Sequence, residues 1–277
     1  MYEQYDLYGN IEYDQFRPVT VRMTQPAGIW WQWSEAYYLQ VVSPYGTVQG
    51  DNSGWYASGA EISTSVTQYE STYDDETRWA VNGWTASGSS GDGVGNTIPS
   101  FEIYEPTTIN FTWHKEFYVE FATNAGTTNP QSMWAKEGES VPINCTPPAD
   151  TSDTRYFFDS WTGSGLGSYS GVNQAATINV LEPINQYANW RIQYTVTVIA
   201  MNGSLDPDPS GWYDEGSNVS VTATPEASSD GMRWRAEWYG TGEGVATIEA
   251  SNNSPSTITL TVLEPTVQRV MWHLQYR

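Results

Sequence analysis

The chain has 277 residues and a formal net charge of −21, with 11 Lys and Arg against 32 Asp and Glu. A surface this acidic repels phosphate, which argues against a nucleic-acid binder or a protein held on anionic lipid. The one cysteine, Cys145, rules out an intrachain disulfide and any cysteine-based metal or redox pattern. No apolar run approaches the roughly 18 residues of a membrane-spanning helix, so no membrane insertion is expected.

Residues 1–18 are polar and tyrosine-rich and do not read as a signal peptide, so a secreted form would have its leader removed or outside this numbering. In an extended chain Tyr2, Gln4, Asp6 and Tyr8 fall on one side, and Tyr5 and Leu7 on the other. The segment reads as a strand without a partner in its own domain. Tyr2, Tyr5, Leu7, Tyr8, Ile11, Tyr13 and Phe16 are its candidate assembly contacts.

From residue 19 a repeat begins. Pro26, Pro106, Pro183 and Pro265 are each followed seven residues later by a tryptophan: Trp33, Trp113, Trp190 and Trp272. Four residues further on stands Tyr37, Phe117, Tyr194 or Tyr276. The prolines lie 80, 77 and 82 residues apart, and a repeat of that length means several small domains. Trp84, Trp161 and Trp238 are spaced 77 and 77 apart, and Trp55, Trp134 and Trp212 are spaced 79 and 78 apart.

These registers divide the chain into residues 1–37 (an extension with a partial repeat), 38–117, 118–194 and 195–277. Each full repeat has the same parts: a short alternating strand such as Val119–Phe121 and a tryptophan segment such as Ser53-Gly-Trp-Tyr56. A valine-rich strand, an aromatic strand such as Arg155–Trp161 and a Gly/Ser loop follow. A strand then ends at Glu-Pro, and a closing strand carries the conserved-position tryptophan. The regular segments are short, rich in Val, Ile, Thr and aromatics, alternate with period two and are bounded by Gly, Pro, Ser or Asn. Nothing shows a sustained 3.6-residue period.

The expected fold is therefore all-β. It has tandem small domains of five or six strands, sandwich-like or β-grasp-like without a clear helix, joined head to tail by linkers as short as Arg191–Tyr194. Trp33, Trp84, Trp113, Trp161, Trp190, Trp238 and Trp272 are the expected core. Trp55 and Trp212 repeat in the same way and are expected inside, while Trp30, Trp31 and Trp134 are the surface candidates.

Residues 38–277, with a partial copy at 19–37, resemble the divergent internalin-type B-repeat family of bacterial and archaeal cell-surface proteins. The resemblance rests on Ser53–Tyr56 with Gly59, Ser210–Tyr213 with Gly216, Gly83-Trp84, Ser160-Trp161 and Ala188-Asn-Trp190. Met133 and Glu237 stand where that pattern has glycine. The resemblance implies a stalk, spacer or adhesive module outside the cell.

Catalytic chemistry finds little support. His114 and His273 align with Ser34 and Arg191, so the position has no common chemistry, and no nucleophile–His–acid set can be assembled. The acidic pieces Asp74-Asp75-Glu76 and Asp206-Pro-Asp208 fit no known calcium-loop spacing, and no cofactor is expected. Asn110, Asn144, Asn202, Asn218 and Asn252 head N-x-Ser/Thr triplets and are candidate glycosylation sites. Residues 19–37 carry the last two strands of a repeat without the earlier ones. The chain is then either a piece of a longer repeat protein or is completed by a neighbouring copy. A non-enzymatic filament or stalk subunit at the cell surface is expected, with itself as partner. The alternative is an adhesive module that binds surface glycans.

Overall fold

The structure, a computed structural model, describes residues 3–5, 11–13, 34–71, 76–228, 231–242, 249–251 and 254–276. Every regular element among them is a strand. The chain gathers into two compact units. One is Met1–Tyr118 with Trp134–Glu139, and the other is Val119–Met133 with Ser140–Arg277.

The second unit holds two copies of one arrangement. In the later copy Gly203–Leu205, Asn218–Pro225 and Ser256–Thr261 form a three-stranded antiparallel sheet. A second sheet pairs Met232–Thr241 antiparallel with Thr266–Tyr276, which runs parallel to Val196–Met201. Period-two alternation turns Val219, Val221, Ile258 and Leu260 of the first sheet toward Trp238, Val270 and Trp272 of the second, in one buried cluster. Two sheets closing face to face over a shared core make a sandwich. The earlier copy repeats it with Thr127–Asn129, Ser140–Thr146 and Ala176–Asn179 in one sheet. Its other sheet contains Thr154–Ser164, Ile184–Met201 and Val119–Thr123.

The first unit follows the same plan. Thr77–Ser87 pairs antiparallel with Thr107–Thr123, whose residues 107–110 run parallel to Ala36–Val42. Leu39, Ile62, Val66, Trp84, Ile103, Ile109 and Phe111 fill its core. Of the tryptophans expected inside, Trp84, Trp161, Trp190, Trp238 and Trp272 are buried. Trp113 is only half-buried. It lies at the edge of its core, where Tyr45 packs against it and its indole N–H donates to Ser43 Oγ at 3.1 Å. Trp33 lies outside the described residues.

No linker separates the two copies in the second unit. Ile184–Met201 is one 18-residue strand. Residues 185–194 pair with Thr154–Ser164, and residues 196–201 pair with Thr266–Tyr276. Ile184, Gln186, Ala188 and Trp190 are buried in one stretch, and Val196 and Val198 in the other. The strand that closes one repeat thus opens the next, where a short linker was expected. Thr107–Thr123 is likewise a single 17-residue strand.

Each Glu-Pro corner is held by a glycine. Gly88, Gly165 and Gly242 have φ of +90°, +96° and +111°. A Cβ on them would fall 2.4, 2.2 and 2.9 Å from the carbonyl oxygens of Pro106, Pro183 and Pro265. Both the backbone angle and the close approach demand glycine. Cys145 is buried, and burial pushes its thiol up to about 11, so it is a small core residue with little thiolate.

At the N-terminus Glu3–Tyr5 pairs antiparallel with Ile11–Tyr13. The two segments pair with each other, where a single extended strand was expected. Of the candidate assembly residues, Tyr5, Ile11 and Tyr13 lie on this paired backbone. Tyr2, Leu7, Tyr8 and Phe16 fall outside the described residues.

Candidate interface at the repeat boundaries

The tryptophan segment is placed by its serine. Ser53, Ser132 and Ser210 accept the backbone N–H of Val41, Phe121 and Val198 at 2.8, 2.9 and 3.0 Å. Each serine thereby ties its segment to the opening strand of its own repeat. The bond needs the serine and not the residue after it, so Met133 is tolerated where the other copies have glycine. Pairing then sets Trp55 opposite Tyr38 and Trp212 opposite Thr195. Trp134 contacts the ring of Tyr118 at 5.4 Å, as Trp55 contacts that of Tyr38 at 5.5 Å.

The preceding repeat supplies an arginine. Arg78, Arg155 and Arg233 stand near the start of the three aromatic strands, each opposite a polar residue of its closing strand: Glu116, Gln193 and Gln275. The arginine Nε donates to that partner at 2.7, 2.7 and 2.8 Å. The bond fixes the direction of the planar guanidinium. Arg78 then lies 4.3 Å from the centre of the Trp134 ring and 3.9 Å from that of Tyr69. Arg155 lies 4.4 Å from the Trp212 ring. A guanidinium over an indole contributes about 0.5–1 kcal/mol when exposed and ~2 when desolvated.

Trp134 and Trp212 are accordingly half-buried, whereas Trp55 is 57% exposed. Trp55, read from its repetition as a core residue, is the one of the three with no guanidinium over it among the described residues. Conversely, no described ring lies over Arg233. It sits exposed with Gln275 and Tyr276 beside a recess of about 460 Å³. Trp134, taken as a surface candidate, is enclosed by Arg78 and Tyr118.

The polar partners differ in charge. Glu116 accepts from Arg78 on one oxygen and contacts His114 Nε2 at 2.9 Å on the other. Burial works to raise its carboxyl, but the hydrogen bonds and charges of His114 and Arg78 outweigh this and hold it below the ordinary range. Gln193 is neutral. Its carbonyl accepts from Arg155 and its amide donates to Asp214 at 2.6 Å. The exposed His273 pairs with Glu237 at 2.8 Å.

The other candidate residues lie apart from these contacts. Asn110, Asn144, Asn202 and Asn218 are exposed, and Asn252 is outside the described residues. Asn202 already uses its amide nitrogen, the glycan attachment atom, to donate to the Trp272 carbonyl at 3.1 Å. Among the described residues no three His, Cys, Asp or Glu converge as metal ligands. Asp74 and Asp75 are outside that set. Asp208 accepts the Ser210 N–H at 2.9 Å, which lowers its pKa.

The arginine positions do not stand out in the sequence as boundary contacts. Their signal was present in the sequence: Arg78 precedes Trp113, and Arg155 precedes Trp190, by 35 residues. Comparison with family models, with curated proteins and with solved structures finds no match.

Proposed function

We propose that the chain is a structural subunit of an extracellular filament or cell-surface stalk that assembles head to tail, its N-terminal segment complementing a neighbouring copy. The observation that carries this reading is the undivided strand Ile184–Met201. A module whose last strand is its neighbour's first extends end to end without a hinge. Such an arrangement transmits load along the chain. The repeat pattern's likeness to B-repeats of surface proteins points the same way, and the acidic surface suits a long soluble assembly. Strand addition supplies main-chain hydrogen bonds, and a heterologous contact that does not close yields a fibre.

Negative-stain electron microscopy with light scattering tests this on the purified chain. Thin, regularly beaded fibres are expected, and deletion of residues 1–16 should leave folded monomers. A wild-type chain that stays monomeric at every concentration overturns the filament. Fibres that survive the deletion overturn the role of the N-terminal segment.

A second reading, a carbohydrate-binding repeat of a larger surface protein, draws on the exposed rings of Trp55 and Tyr104. Exposed aromatic faces can stack on sugars. Glycan-array binding abolished by Trp55→Ala would favour it.

A further inference from the structure

Within the chain, two repeat boundaries are closed by the same contact: Arg78 on Trp134 and Arg155 on Trp212. The two remaining halves of that contact are both exposed. Trp55 presents its indole beside Tyr38, and Arg233 presents a guanidinium already aimed by Gln275. We infer that Trp55 of one copy docks on Arg233 of a second copy, so that the joint between subunits uses the contact that closes the boundaries within a subunit. The inference rests on the head-to-tail reading above and names the residues that make the joint.

The match is chemical as well as positional. Arg233 is held by Gln275 at 2.8 Å just as Arg155 is held by Gln193 at 2.7 Å, in the same cross-strand register. Its guanidinium is therefore pre-oriented, and little side-chain freedom is lost when a ring arrives. Trp55 packs against Tyr38 at 5.5 Å and 67°, close to the 5.4 Å and 59° of Trp134 against Tyr118. One half stands in the first repeat and the other in the last, so each copy carries one donor and one acceptor. A contact of this kind is heterologous and propagates.

Sedimentation velocity over a concentration series tests the joint with full-length protein. Trp55→Ala and Arg233→Ala should each weaken self-association about tenfold. Trp55→Phe, which keeps a ring, should lose less. At a concentration where either alanine variant alone is monomeric, an equimolar mixture should form dimers that do not grow. The Arg233→Ala copy still offers Trp55, the Trp55→Ala copy still offers Arg233, and only that one joint is intact. Both side chains are exposed, so circular dichroism should show the variants folded as wild type.

If wild type assembles and the variants assemble equally well, the docking is overturned while the filament stands. Weakened variants that do not rescue one another also overturn it. If the wild-type chain never assembles, the filament reading falls and takes the docking with it. A Trp55→Ala variant that keeps assembly but loses glycan binding assigns the ring to sugar instead.

Discussion

The Arg78–Trp134 and Arg155–Trp212 contacts share one design, and the difference that matters most is the residue that holds each arginine, Glu116 or Gln193. The second ring beside each also differs, Tyr69 at 3.9 Å from Arg78 and Phe157 at 5.3 Å from Arg155. Ring distances of 4.3 and 4.4 Å and Nε bonds of 2.7 Å in both leave the geometry unchanged. Glu116 makes the first an ion pair at a half-buried site. Gln193 makes the second a neutral relay from Arg155 to Asp214. The packing of the boundary thus does not depend on charge, whereas its sensitivity to mutation and pH should.

Removing the arginine should show the largest difference. In Arg78→Ala the Glu116 carboxylate, 13% exposed at its side chain, loses its main cation. Leaving a charge short of partners at such a site costs about 2–3 kcal/mol. In Arg155→Ala the neutral Gln193 keeps Asp214 as a partner, and the loss is one hydrogen bond and the cation–ring contacts with Trp212 and Phe157, about 1–2 kcal/mol. Denaturant unfolding gives the totals. Hydrogen exchange in Thr77–Ser87 and Thr154–Ser164 assigns each loss to its boundary. Equal losses would mean that the charge of Glu116 is immaterial.

Exchanging the partners sharpens the point. Gln193→Glu removes the amide that donates to Asp214 and sets a second carboxylate against the first. The expected cost at neutral pH is about 1 kcal/mol, since solvent screens the pair. Two facing carboxylates raise each other's folded pKa, so this loss should shrink as the pH falls. A Gln193→Glu chain as stable as wild type at neutral pH would mean that the ion pair gained with Arg155 offsets the lost donation to Asp214.

Much of this was legible from sequence spacing. The strand alternation, the all-β class and five of the core tryptophans follow from period two, from the recurrence of Trp84, Trp161 and Trp238, and from the proline spacing that marks Trp190 and Trp272. The placement of Trp55 does not follow. Repetition shows that Trp55, Trp134 and Trp212 are equivalent within their own repeats, but what covers each ring comes from the repeat before it. Equivalence in one module cannot reveal whether the neighbour's arginine is present. The undivided strand at 184–201 was hidden for a related reason: Arg191 and Gln193 interrupt the apolar pattern as a linker does, yet the backbone of 191–194 pairs with the aromatic strand, and that of Gln193 and Tyr194 pairs on the other edge as well.

The smallest expected effect is the pH dependence of the first boundary. Glu116 has a folded pKa below its ordinary value of 4.5, because the hydrogen bonds from His114 and Arg78 prevail over its burial. A carboxyl depressed by folding adds stability above its unfolded pKa. As the pH falls below about 4.5, the unfolded chain takes up a proton that the folded chain still refuses, and that stability is lost by the time the folded pKa is passed. Glu116→Gln has no such proton to bind. Its unfolding midpoint should lie below that of wild type at neutral pH, and the two should converge as the solution is acidified. The amides of Thr154–Ser164, beside the neutral Gln193, should follow the same acid profile in both chains. Parallel curves for wild type and Glu116→Gln from about pH 6 down to pH 3 would mean that the carboxyl's shift contributes nothing to stability. The two boundaries would then differ in composition alone.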